Sequence, residues 1–133
     1  MADTPTPEPM DLSPRRYGDT LVLSPRGRIN HSSSDTFGIA LRPHLEHCRE
    51  GGDRIVLDLS GLEYVSSAGL RVLMLARKQV HAQGGTLVVA ALGPMLREIF
   101  EISRFSTVFT VYLTIRDAIA AVSPTSLSAF DAG

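Results

Sequence analysis

Two adjacent hydroxyls, Ser66 and Ser67, close the stretch Leu62-Glu63-Tyr64-Val65-Ser66-Ser67 and open the stretch Ala68-Gly69-Leu70. Ahead of them, Ile55-Val56-Leu57-Asp58-Leu59 reads as a buried strand, and the apolar residues from Leu70 onward read as a helix. A serine at such a junction lies on a surface turn at the positive end of a helix dipole, where a new phosphate is tolerated. Phosphoryl transfer depends mainly on positioning, and Ala68 and Gly69 leave the backbone after Ser67 unshielded. The same serines also suit plain helix capping, since Ser is a preferred N-cap. Capping and phosphorylation can coexist on neighbouring residues.

Other reactive side chains form weaker sets. His44 and Cys48 have i,i+4 spacing on one predicted helix, with His47 between them, but no matching pair of ligands appears elsewhere. They read as surface histidines beside a half-buried cysteine, and no metal is expected. Of Asp58 and Glu63, one carboxylate is expected to cap a turn and the other to be solvated. No Gly-x-Ser-x-Gly elbow surrounds Ser67 and no Gly-x-x-x-x-Gly-Lys loop is present, so neither a hydrolase, another enzyme nor a nucleotide cofactor is expected.

The elements that position the serines follow from periodicity and breakers. Thr20 to Ser24 reads as a strand that resumes through Arg28-Ile29, with Pro25 and Gly27 implying a bulge or an edge. Asn30 to Asp35 is rich in capping side chains, and Phe37, Ile39, Ala40, Leu41, Leu45 and Cys48 then recur near helical spacing. Pro43 implies a late start or a bend in that helix. The run Arg54 to Leu59 reads as a central strand covered on both faces. A second helix spans Leu70 to Val80 and stops at Gly84-Gly85; its broad apolar surface should mostly cover a sheet, with Arg71 and Met74 left as exposed surface beside Ser67. Thr86 to Leu92 is another buried strand, Pro94 opens a helix through Phe100, Val108 to Val111 is a short strand, and Thr114 caps a last helix through Val122. This alternation implies an α/β fold with a mixed sheet of four to five strands and about four helices in one domain.

With 133 residues and a formal net charge of −1, the chain suits one compact domain. Lys and Arg are scattered and Trp is absent, which argues against direct nucleic-acid binding. No apolar run approaches the ~20 residues of a membrane span, and the first residues lack the apolar core of a secretory signal. A single cysteine fits a reducing compartment, so the expected location is cytoplasmic, and a monomer is the default. Residues 1–15, with four prolines among Thr, Asp and Glu, read as a flexible tail. Residues 123–133 read as a second flexible tail, in which Phe130 alone could dock.

The run from Gly52 to Leu92 closely resembles the STAS domain, the fold of bacterial anti-sigma factor antagonists. The matching residues are Ile55-Val56-Leu57-Asp58-Leu59-Ser60, Leu62 through Leu70, and Gly84-Gly85 with Leu87-Val88-Val89. Flanking features agree: Gly27-Arg28-Ile29-Asn30, Leu96-Arg97-Glu98-Ile99-Phe100 and Phe105, so the resemblance covers residues 16–122. It implies a partner switch. The unphosphorylated antagonist would bind an ATP-dependent serine kinase that is also an anti-sigma factor, freeing a sigma factor. Phosphorylation would break that complex, and a PP2C-type phosphatase would reset it. By motif position the acceptor is Ser67, with Ser66 the second choice, and the partner surface comprises Asn30, His31, Ser66, Ser67, Ala68, Gly69, Arg71 and Met74. Many members carry Asp where this chain has Ser66, and an acidic residue where it has Asn30. The family also implies an alternative: a non-switching scaffold, or a subunit of a lipid-transport ABC complex.

Overall fold

Three consecutive β-branched or leucine-rich runs set the centre of the molecule. In the computed structural model, which describes residues 10–133, they become β2 (Thr20–Leu23), β4 (Arg54–Asp58) and β6 (Thr86–Ala90). β4 pairs in parallel with β2 on one side and β6 on the other. β1 (Arg15–Tyr17) adds antiparallel to β2, and β7 (Val111–Tyr112) adds parallel to β6, giving the order β1-β2-β4-β6-β7. Successive side chains on a strand point to opposite faces, and the core divides accordingly. Leu21, Leu23, Ile55, Leu57 and Val89 pack in one layer against α1 (Ser34–Glu46), α2 (Ser67–Ala82) and α3 (Pro94–Ile102). Val22, Val56, Val88 and Ala90 pack in the other against α4 (Ile115–Val122) and α5 (Pro124–Ala132). Both faces are covered, which is why these strands read as continuous apolar runs rather than alternating ones.

A second, two-stranded parallel sheet of β3 (Gly27–Ile29) and β5 (Leu62–Val65) lies outside the main one, with its register shifted between Gly27 and Arg28. The bulge expected from Pro25 and Gly27 falls there. β5 and β1 were not expected as strands: each is three or four residues long and neither carries a sustained pattern.

The structure corrects the expected ends. Residues 123–133 are not a flexible tail: Pro124 opens α5, Phe130 meets Tyr17 edge to face at 5.1 Å, and Ser126 is buried. The serine-rich composition misled because the buried hydroxyls are satisfied. Ser123 and Ser126 both donate to the Asp19 carboxylate, at 2.7 and 2.8 Å, and Arg54 pairs with the same group. The tail expected over residues 1–15 is also shorter. Leu12 is buried, its carbonyl accepts from Ser24 N at 2.6 Å, and Arg15 already begins β1. The rest of that expectation, residues 1–9, lies outside the described residues. Among the described residues there are five α-helices rather than four, and the last strand falls at Val111–Tyr112 rather than Val108–Val111. Val108–Thr110 instead form an irregular turn, and the 3₁₀ helix Phe105–Thr107 just before it places Phe105 against Phe100 and Phe109. Pro43 sits inside α1 without ending it.

Candidate functional site

The start of α2 is pinned by backbone geometry. Ser66 N donates to the Ile29 carbonyl at 2.8 Å, so the end of β3 lies directly beside the serine turn. Ser66 adopts an extended conformation, and its Oγ accepts from Gly69 N at 3.2 Å. Its carbonyl accepts from Leu70 N at 2.8 Å, the first regular helical bond. Ser66 is therefore the N-cap, half-buried and already bonded. Ser67 is the first helical residue, exposed, with no side-chain hydrogen bond among the described residues. Of the two adjacent serines, the capping role falls on Ser66, and Ser67 keeps an exposed hydroxyl.

Gly69 explains why the turn sits so close to β3 and β5. A Cβ at this position would lie 2.6 Å from Val65 Cγ2 and 2.8 Å from Ile29 Cγ2, both on buried side chains. Gly69, expected at a partner surface, is itself buried, and its part within this chain is to let α2 approach the small sheet. Ala68 is half-buried and Arg71 is exposed one turn below Ser67. The residues of α2 on that exposed stripe are Ser67, Arg71, Leu75 and Lys78; Met74, expected there, is half-buried.

Asn30 and His31 are exposed and adjoin the serine turn through the Ile29–Ser66 bond. The Asn30 carboxamide oxygen accepts from Ser33 N at 2.9 Å and Ser32 Oγ at 2.7 Å, and the His31 carbonyl accepts from Ser34 Oγ at 2.9 Å. These bonds shape the entry to α1, whose N-cap Ser33 makes no side-chain cap bond of its own. The sequence reading missed the neighbour that frames this patch: Arg28 stacks over the Tyr64 ring at 4.7 Å from its centroid. The signal was the parallel pairing of Gly27–Ile29 with Leu62–Val65, too short to be seen as sheet.

The remaining candidates have structural partners. Asp58 Oδ1 accepts from Ser60 N and Oδ2 from Ser24 Oγ, both at 3.0 Å, so it caps the turn after β4, while Glu63 is exposed. Cys48 is fully buried, its Sγ donating to the Thr86 carbonyl at 3.1 Å, and burial pushes its thiol pKa up. His44 is half-buried and His47 exposed near the end of α1. Among the described residues no helix is long and apolar enough to cross a membrane.

Comparison with known proteins agrees with this geometry. The STAS domain family model matches residues 11–118. A Bordetella bronchiseptica protein named as an anti-sigma factor antagonist, BtrV, is 37% identical over 118 residues, covering 89% of this chain and 98% of its own. Among solved structures, an anti-sigma factor antagonist from Thermotoga maritima superimposes with a TM-score of 0.75 at 20% identity, covering 84% of this chain and 93% of its own. The anti-sigma factor antagonist SpoIIAA in its unphosphorylated form superimposes with a TM-score of 0.66 at 17% identity, covering 84% and 95%.

Proposed function

The chain belongs to the STAS domain family, and on that premise we propose that it is an anti-sigma factor antagonist switched by phosphorylation of Ser67. Its role is regulatory rather than catalytic. In the unphosphorylated state it binds an anti-sigma factor that is also an ATP-dependent serine kinase, and a sigma factor is released. The kinase phosphorylates Ser67, the complex dissociates, and a PP2C-type phosphatase restores the binding form.

The observation that carries this reading is the division of labour at the turn. Ser66 holds the helix end, while the Ser67 hydroxyl is exposed and uncommitted. A phosphate there carries about −1.5 to −2 charge at neutral pH. It would meet the free N–H groups of the first helical turn, and Arg71 lies at i+4. The fold therefore keeps its structure, and the cost falls on any interface that buries the new charge. A penalty of about 3 kcal/mol weakens an interface more than 100-fold, enough for a switch without refolding.

A pull-down from lysate of the native host tests this, with wild type, Ser67→Ala and Ser67→Asp as baits. An ATP-binding serine kinase held by Ser67→Ala and lost with Ser67→Asp is the expected result. Equal capture by all three baits would remove Ser67 as the switch.

A further inference from the structure

A second surface lies beside the serine turn, between α1 and α2. It is a groove of ≈ 420 Å³ lined by Gly38, Ile39, Val72 and Leu75, with Asp35 and Arg42 on its α1 side. Gly38 creates it: with no side chain there, Val72 is the nearest neighbour, 3.5 Å from where a Cβ would stand. Ile39 and Leu75 stand on either side with 63% and 51% of their surface exposed. Two large aliphatic side chains left open across one concave strip form an apolar patch of the kind that marks a docking site.

The charge around the strip says what would fill it. The exposed stripe of α2 carries Arg71 and Lys78, and α2 contains no carboxylate, although the whole chain has a net charge of −1. Arg71 and Lys78 lie at i−4 and i+3 from Leu75, so they flank it on the helix surface, and Arg42 flanks Ile39 in the same way at i+3. None of these cations takes part in an ion pair among the described residues. The single acid of the rim, Asp35, sits at the end where α1 begins. An apolar floor lined by Arg42, with Arg71 and Lys78 just outside the lining beyond Leu75, complements an amphipathic helix whose apolar stripe is bordered by Glu or Asp.

We infer that the α1–α2 groove binds an acidic amphipathic helix presented by a partner protein. The helix lays its apolar residues between Ile39 and Leu75 over Gly38, and its carboxylates meet Arg42, Arg71 and Lys78. This docking stands without phosphorylation. If the Ser67 reading also holds, the two oppose each other, because a phosphate one turn above Arg71 would neutralise that cation and repel the incoming carboxylates.

The test is an amide NMR titration of the unphosphorylated full chain. The probe is a stapled synthetic helix with Leu at helical spacing and Glu on its flanks. Its controls are the same helix with Lys flanks and vesicles of phosphatidylglycerol. The expected result is a set of shifts centred on Gly38, Ile39, Val72 and Leu75 with the Glu-flanked helix alone. Leu75→Glu, an exposed position whose replacement leaves the core intact, should weaken that binding at least tenfold. Arg42→Glu with Lys78→Glu should weaken it several-fold and improve binding of the Lys-flanked control. No shifts, shifts centred elsewhere, or equal response to both helices would overturn the inference. Response to the vesicles without response to the Glu-flanked helix would overturn it in favour of an anionic membrane surface. Because the protein is unphosphorylated throughout, failure here leaves the role of Ser67 to its own experiment.

Discussion

Ser66 and Ser67 differ by one position and by everything that matters for chemistry. The Ser66 hydroxyl accepts from Gly69 N, so Ser66→Ala should cost about 1 kcal/mol of stability, the usual value of an N-cap. Ser67 makes no such bond, so Ser67→Ala should shift stability by no more than about 0.5 kcal/mol. Chemical denaturation of both variants separates the two. The glycines give a second pair with opposite signs. Gly69→Ala places a methyl 2.6 Å from Val65 Cγ2 and should cost about 1–3 kcal/mol by overpacking. Gly38→Ala meets only Val72 at 3.5 Å and should stabilise by about 0.5–1 kcal/mol, because a helix-interior glycine is replaced without a clash. Thermal melts of the two variants should move in opposite directions. The serine pair was visible in the sequence, but its division was not. Capping depends on which residue turns extended, and that is set by the Ile29–Ser66 bond between chain segments far apart in sequence.

At the scale of elements, α5 is held by a polar clasp as much as by Phe130 and Leu127. Hydrogen bonds from Ser123 first, then from Ser126, together with Arg54, hold the Asp19 carboxyl below its usual range. A carboxyl whose folded pKa is depressed contributes stability above its unfolded value of about 4, and that contribution is lost as pH falls through the folded value. Hydrogen exchange should therefore show α5 amides protected at neutral pH and progressively released in acid below the ordinary carboxylate range. Asp19→Ala should release them already at neutral pH, at a cost of about 1–2 kcal/mol, while α2 keeps its protection. On α5 and at its start this clasp is carried by Ser123 and Ser126, in a serine-rich stretch whose composition alone suggests a mobile end. Burial of Ser126 is legible only once Asp19, more than a hundred positions earlier, is known to face it. The strands β2, β4 and β6 posed no such difficulty, since each is an uninterrupted apolar run bounded by turn residues.

For the whole molecule, a two-sided core leaves the exposed stripe of α2 that begins at Ser67 outside the packed layers. α1, α2 and α3 cover one face of the sheet while α4 and α5 cover the other, and the serine turn emerges at the edge of the first layer beside β3 and β5. On the proposed reading, a charge added at Ser67 would act on whatever docks there and leave the sheet untouched. The α/β order, the central strands and the serine turn could be read from local pattern. The small sheet, α5 and the α1–α2 groove depend on contacts between distant segments and became visible only in three dimensions.

The most direct measurement is phosphosite mapping by mass spectrometry after incubation with ATP and host lysate containing phosphatase inhibitors. Wild type, Ser66→Ala and Ser67→Ala would be compared. The account predicts phosphate on Ser67 in wild type and in Ser66→Ala, and none in this turn in Ser67→Ala. Phosphate on Ser66 in the wild type, or no phosphate at the turn in any of the three, would contradict it.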